Sequence, residues 1–211
     1  LPGNVGPGLD LDHHAAGKRS DADGRAGRAV VARGAGTGLA GGAVPPPGSI
    51  LVVLTRMAEI DAVDEVGRTA WVGPGVINLD LSNALADRGL HFAPDPSSQQ
   101  SSTVGGNTAT NAGGPHCLAE GSTNAHVLGV EVVTSDGDVL TLGGAAPDLP
   151  GYDLRGLLVG SEGTLGIVTR AVLRLAVYAR RDEISIMLLV GPPGVGKTSI
   201  GRSIALAVLA P

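Results

Sequence analysis

The sequence predicts a mixed α+β fold, with short strands and short helices joined by loops too rich in glycine to be mere connectors. Three observations carry this. Apolar runs such as Ile50-Leu51-Val52-Val53-Leu54 are bounded by turn residues and read as buried strands. Residues 76–88 instead carry apolar side chains near helical spacing and run into Gly89, a C-terminal stop. Finally, 34 of the 211 residues are glycine, about 16% against a usual ~7%, and they cluster between the apolar runs with no collagen period.

Two of those clusters organise the chain. Arg33-Gly34-Ala35-Gly36-Thr37-Gly38-Leu39-Ala40-Gly41-Gly42 directly follows the apolar run Ala29-Val30-Val31-Ala32. A strand entering such a loop can bring bare backbone N–H groups up to a ligand. Successive N–H groups form a concave anion site that suits a diphosphate. A second stretch, Thr103-Val104-Gly105-Gly106-Asn107-Thr108-Ala109-Thr110-Asn111-Ala112-Gly113-Gly114, reads as a loop of the same kind. The expectation is that the two loops hold one dinucleotide between them.

Composition narrows the classes. With one Trp, one Phe and two Tyr, any core is built from Val, Leu, Ile and Ala, and the 43% hydrophobic content is enough for one. A net charge of −5 with no basic block argues against nucleic acid as the partner. The single Cys117 excludes an intrachain disulfide and fits a reducing compartment. No apolar run approaches the ~18 residues of a membrane span, and no signal peptide opens the chain. A cytoplasmic protein is expected.

Residues 1–28 show neither a strand nor a helix period and read as a disordered or atypical tail. His13-His14 beside Asp10 and Asp12 belongs to that solvated tail, since nothing rigid would hold metal ligands there, and no metal site is expected. Residues 59–66 and 68–72 form a hairpin across Gly67, closed by Gly73-Pro74-Gly75. Pro94-Asp95-Pro96-Ser97-Ser98 is a rigid turn. Residues 128–134 and 139–142 flank Asp136-Gly137, a hairpin signal. Residues 152–159 are a short helix and 167–175 a strand.

Four segments in order, the two glycine stretches, Pro94 to Ser98, and Gly160-Ser161-Glu162-Gly163-Thr164-Leu165-Gly166-Ile167-Val168, together resemble the FAD-binding domain of the vanillyl-alcohol oxidase superfamily. Within it, residues 29–178 look most like the FAD subunit of glycolate oxidase and the D-lactate dehydrogenases. Ala109-Thr110-Asn111-Ala112-Gly113-Gly114-Pro115-His116 and Gly151-Tyr152-Asp153-Leu154 match that subgroup as they stand. The resemblance implies a PCMH-type domain of two small subdomains, with FAD between two small sheets. Arg33, Gly34, Ala35, Gly36, Thr37 and Gly38 would wrap the diphosphate, with Leu39 and Gly42 completing the loop. Pro94, Ser97, Ser98, Gly105, Gly106, Asn107, Ala109, Thr110 and Asn111 would meet the diphosphate, ribityl chain or isoalloxazine edge. Glu162, Gly163, Ile167 and Val168 would lie near the adenine and its ribose. Some relatives attach FAD through His or Cys, which draws notice to His116 and Cys117, but this subgroup usually holds its flavin without a bond. His91 and His126 read as structural.

The family also carries a C-terminal domain that covers the flavin and supplies the substrate pocket. This chain leaves the resemblance at about Leu175, and its first 28 residues lack the family's opening strand-helix-strand unit. The expectation is a fragment, incomplete at its N-terminus and produced by a frame-shifted or spliced reading frame. No catalytic residue is assigned. A 2-hydroxy acid is a substrate only if a cap domain is supplied, and other oxidase subunits are implied partners.

Residues 179–183 form a charged linker. Residues 184–211 read as a strand, a loop and a helix. Gly191-Pro192-Pro193-Gly194-Val195-Gly196-Lys197-Thr198 fits the P-loop pattern, in which amides and Lys197 would hold phosphates and Thr198 a Mg²⁺, with Ser199 following. The segment resembles the Walker A region of Lon-type AAA+ proteases. ATP with Mg²⁺ is therefore a second implied ligand, although the acidic Walker B residue that hydrolysis needs would lie beyond Pro211. Three readings stand: a flavin-domain fragment of a 2-hydroxy-acid oxidoreductase, an ATP-binding module, and a non-functional chimeric chain.

Overall fold

The computed structural model describes residues 29–146 and 150–178. The chain divides into two units, residues 1–178 and 179–211. The tail at 1–28, the linker and the P-loop segment lie outside the described residues.

The first sheet is a parallel pair, β1 (Val30–Arg33) and β2 (Ile50–Val53), in register from Val30↔Ile50 to Arg33↔Val53. The glycine stretch is part of the crossover between them, which is long enough for parallel strands without a helix. Val30, Val52 and Leu54 bury a small core together with Ile167.

The main sheet has five strands in the order β3-β4-β8-β6-β7, all antiparallel: β3 (Ile60–Asp64), β4 (Thr69–Val72), β6 (Val127–Val133), β7 (Val139–Gly143) and β8 (Ile167–Arg174). Both expected hairpins form. Asp64 shapes the first turn, its Oδ1 accepting from the N–H groups of Val66 (3.0 Å) and Gly67 (2.9 Å). Alternation along the strands sends Ala70, Val72, Val130, Val132, Ala171 and Leu173 to one face, where all are buried. Leu81 and Leu85 of α1 (Asn78–Leu85), Val104, Phe92 and Leu158 cover that face. Each such side chain contributes about 1.5–3 kcal/mol on burial. Because Ile167 joins the small core and Ala171 the large one, β8 ties the two sheets together.

The helix expected over residues 76–88 is α1 followed by a 3-10 turn at Ala86–Arg88. Gly89 ends it at φ 68°, the left-handed conformation that glycine adopts without strain. The N-terminal amides of α1 find distant acceptors, Asn78 N–H on Ser102 O (2.9 Å) and Leu79 N–H on Gln99 O (3.0 Å). Asn78 Nδ2 donates to Pro94 O, and Ser82 Oγ accepts from Phe92 N–H. Residues 92–103 are thereby pinned along α1.

Four expectations change. The second glycine stretch is a helix over most of its length, α2 (Val104–Thr110). Thr103 caps it, Oγ1 accepting from Gly106 N–H (3.3 Å), and that contribution of about 1 kcal/mol helps offset two interior glycines. The two small sheets become one of five strands, the β1–β2 pair, and a two-residue ladder between β5 (Leu90–His91) and β9 (Ala176–Val177). A single turn of helix, α3 (Cys117–Glu120), was also not foreseen, and the helix expected over 152–159 is shorter, α4 (Leu154–Leu158). Among the described residues no helix is long and apolar enough to cross a membrane.

Candidate functional site

One cleft of about 180 Å³ lies where three separated stretches meet: residues 32–43 after β1, residues 98–112 around α2, and residues 158–168 leading into β8. Contacts between the stretches define it. Gly34 backs directly onto Thr103, so closely that any Cβ there would overlap Thr103 Oγ1. The C-terminal carbonyls of α2 accept from the third stretch, Thr108 O from Gly160 N–H (2.9 Å) and Ala109 O from Glu162 N–H (2.8 Å). Glu162 Oε2 in turn comes within 3.4 Å of where a Gly42 side chain would begin.

Most of the anticipated residues come together here. Arg33, Gly34, Ala35, Gly36, Thr37, Gly38 and Gly42 line one wall. Ser98, Gly105, Gly106, Asn107, Ala109 and Thr110 line the second, and Glu162, Gly163, Ile167 and Val168 the third. Leu39 points away and is fully exposed. Pro94 is buried against Asn78, and Ser97 does not line the cleft. Asn111 is also outside it: at φ 49° it ends α2, and its Oδ1 accepts from Asn124 N–H (2.9 Å). The residues assigned to ATP, Gly191, Gly194, Val195, Gly196, Lys197, Thr198 and Ser199, lie outside the described residues.

The two glycine segments do different work. From residue 35 to residue 43, no backbone N–H donates to another group of the described residues. Among the described residues that run is a set of free donors. The α2 segment offers none of this kind. Val104 N–H goes to Val76 O, Gly105 N–H to Pro74 O (both 2.8 Å), Gly106 N–H to Thr103 Oγ1, and Asn107 N–H to Thr103 O. The expectation that Gly105 and Gly106 present bare amides is therefore corrected. Their lack of side chains lets α2 lie against Pro74 and Thr103. What α2 offers instead is Asn107, 3% exposed, whose Nδ2 has no partner. A buried amide left unpaired costs about 1–3 kcal/mol, and this one belongs to a residue that lines the cleft.

Sequence reading assigned no contact to Ala32, Ala40, Gly41, Ala43, Leu54, Pro74, Thr103, Ala112, Leu158, Ser161 or Gly166, all of which line the cleft. Only Thr103 carried a signal, a threonine immediately before a short helical run. His116 and Cys117 take no part. His116 Nδ1 is held by Asp95, and Cys117 Sγ accepts from Gly114 N–H (2.9 Å). Arg33 and Glu162 bring one positive and one negative group to the cleft.

Residues 23–143 match the family model described as FAD binding domain. The chain belongs to this FAD-binding domain family. Among curated relatives, the glycolate oxidase subunit GlcD of Escherichia coli K12 is 53% identical over 146 residues, covering 69% of this chain and 29% of that protein. The D-lactate dehydrogenase of Archaeoglobus fulgidus is 44% identical over 164 residues, covering 77% of this chain and 36% of that protein. The chain thus spans about a third of these relatives. Among solved structures, an alkyldihydroxyacetonephosphate synthase superposes with a TM-score of 0.62 at 28% identity, over 70% of this chain and 27% of the other. The FAD-binding domain match takes in the first two walls of the cleft, and the third lies C-terminal to it.

Proposed function

We propose that residues 29–178 form the flavin-holding domain of an FAD-dependent oxidoreductase acting on 2-hydroxy acids of the glycolate or D-lactate kind. The observation that carries this is the cleft's donor set: a run of free amides in residues 35–43 and the orphaned Asn107 Nδ2, brought to one cleft by the Gly34–Thr103 contact. Free amides beside Arg33 suit a diphosphate. The Glu162 carboxylate on the third wall suits hydroxyl donors such as a ribose diol. At about 180 Å³ the cleft is smaller than the ~300–1,000 Å³ of whole-ligand pockets, which fits enclosure of the dinucleotide's centre with its two ends outside.

Bound there, the flavin would supply the redox chemistry by accepting a hydride from the substrate carbon. The chain's own residues do the holding. Residues 35–38 donate to phosphate oxygens, Asn107 Nδ2 fills its vacant bond, and Thr110 Oγ1, which donates to Gly106 O, keeps lone pairs free to accept. The engagement of His116 and Cys117 elsewhere supports non-covalent binding. A cytoplasmic location remains our reading from the single cysteine, and other oxidase subunits the implied partners.

Titration of the purified 211-residue protein with FAD tests the proposal. Quenched flavin fluorescence, a saturable curve and a yellow protein are expected. A colourless protein that leaves FAD fluorescence unchanged would sink it. A nucleotide role for residues 191–198 rests on the motif alone. ATP titration of the wild type against Lys197→Ala decides it, with equal binding by both, or none by either, ending that reading.

A further inference from the structure

We propose that the cleft selects its ligand by the diphosphate and leaves the flavin ring ungripped, so that a nucleoside diphosphate such as ADP is itself a ligand, competing with FAD, while FMN and riboflavin are not. This rests on the flavin-holding reading of the same cleft and names the part of the ligand that the cleft recognises.

The whole chain has one Trp, one Phe and two Tyr, and all four lie among the described residues, outside the cleft lining. Trp71 lies on the main sheet under the Arg170 guanidinium, 5.0 Å from it. Phe92 is buried, edge-on to His126 at 6.1 Å. Tyr178 stacks on His91, and Tyr152 is exposed ahead of α4. No aromatic face is left for an isoalloxazine, and stacking is how a flat heterocycle is ordinarily gripped. Aliphatic side chains do not replace it. Leu54 and Ile167 are buried in the small core and Leu158 in the large one, against which Val168 also packs. The rest of the apolar lining is alanine, glycine and Pro74.

Donors for phosphate are abundant by contrast. Among the described residues, the Arg33 side chain makes no hydrogen bond or ion pair. Its Cδ lies 3.4 Å from where a Gly36 side chain would begin, so the cation runs beside the loop of free amides. Asn107, with its unpartnered Nδ2, lines the same cleft. A phosphate monoester presents one group of charged oxygens to this set, and a diphosphate presents two. FMN has the ring with one phosphate; ADP has two phosphates without the ring.

Competition calorimetry on the intact chain tests this, with FAD titrated in the presence of ADP, FMN or riboflavin. ADP should compete with a dissociation constant within about tenfold of that of FAD. FMN and riboflavin should be weaker by about a hundredfold or more, because each charged hydrogen bond lost weakens binding roughly tenfold. Lys197→Ala should behave as wild type, which separates this cleft from any ADP bound at residues 191–198. Arg33→Ala, checked for folding by circular dichroism, should weaken FAD and ADP by the same factor, roughly tenfold. FAD that binds but is not displaced by ADP, FMN that competes as well as ADP, competition lost in Lys197→Ala, or a folded Arg33→Ala that weakens FAD alone would overturn the proposal and leave the flavin-holding reading standing. A chain that binds no FAD would overturn both.

Discussion

Gly34 and Thr103, far apart in the chain, meet so closely that the absent side chain of one is the space occupied by the hydroxyl of the other. Thr103 is 1% exposed and already committed to capping α2, so it cannot move aside. Gly34→Ala should therefore push the first loop away from α2 at a cost of about 1–3 kcal/mol. The expected result is FAD affinity weakened roughly tenfold or more, read by fluorescence titration, together with a lower melting temperature.

Asn107 separates binding from folding. Its Nδ2 has no protein partner, so Asn107→Leu removes an unsatisfied buried donor and should leave the melting temperature of the ligand-free protein unchanged or raised. FAD affinity should fall by about 1–3 kcal/mol in binding free energy. Unaltered affinity would mean that the amide does not meet the ligand.

Leu81, fully buried beneath the main sheet, tests the core. Leu81→Ala should destabilise the protein by about 2–5 kcal/mol in urea unfolding, because the surrounding strands cannot collapse into the void.

His91 gives a pH prediction. Burial holds its imidazole below the ordinary value of 6.5; Glu120 and the Ala176 carbonyl oppose that shift, and His126 adds to it. Between the lowered folded value and 6.5 the unfolded chain binds the proton more tightly, so stability rises with pH there. This contribution is complete above pH 6.5 and is lost as pH falls through the folded value. His91→Phe, which keeps a ring against Tyr178 (centroids 4.4 Å apart), should flatten the change in urea midpoint between pH 7.5 and pH 5. An unchanged slope would assign the effect to other groups.

Elements with a local signal were legible before the structure. The hairpins at Gly67 and Asp136-Gly137, the helix stopping at Gly89, and the strand-to-glycine-loop junction at Arg33 all formed as read. α2 was not, because Gly105 and Gly106 argue against helix and the cap at Thr103 is worth only about 1 kcal/mol. Tertiary bonds decide it, notably those from Val104 and Gly105 to Val76 O and Pro74 O. The β5–β9 ladder is two residues long, too short for any periodicity to register. For the site, the segments were readable from the motifs. Which amides remain free was not, since that depends on acceptors such as Pro74 O, placed by a different part of the chain.

The cleft is lined by residues 32–43, 98–112 and 158–168 together with Leu54 and Pro74, so no short piece of the polypeptide contains it. A dinucleotide seated there would act as a clasp across nearly the whole described chain. Each tenfold rise in free FAD above its dissociation constant would then add about 1.4 kcal/mol to the free energy of unfolding. Thermal denaturation would in that case read out cofactor occupancy without any catalysed turnover.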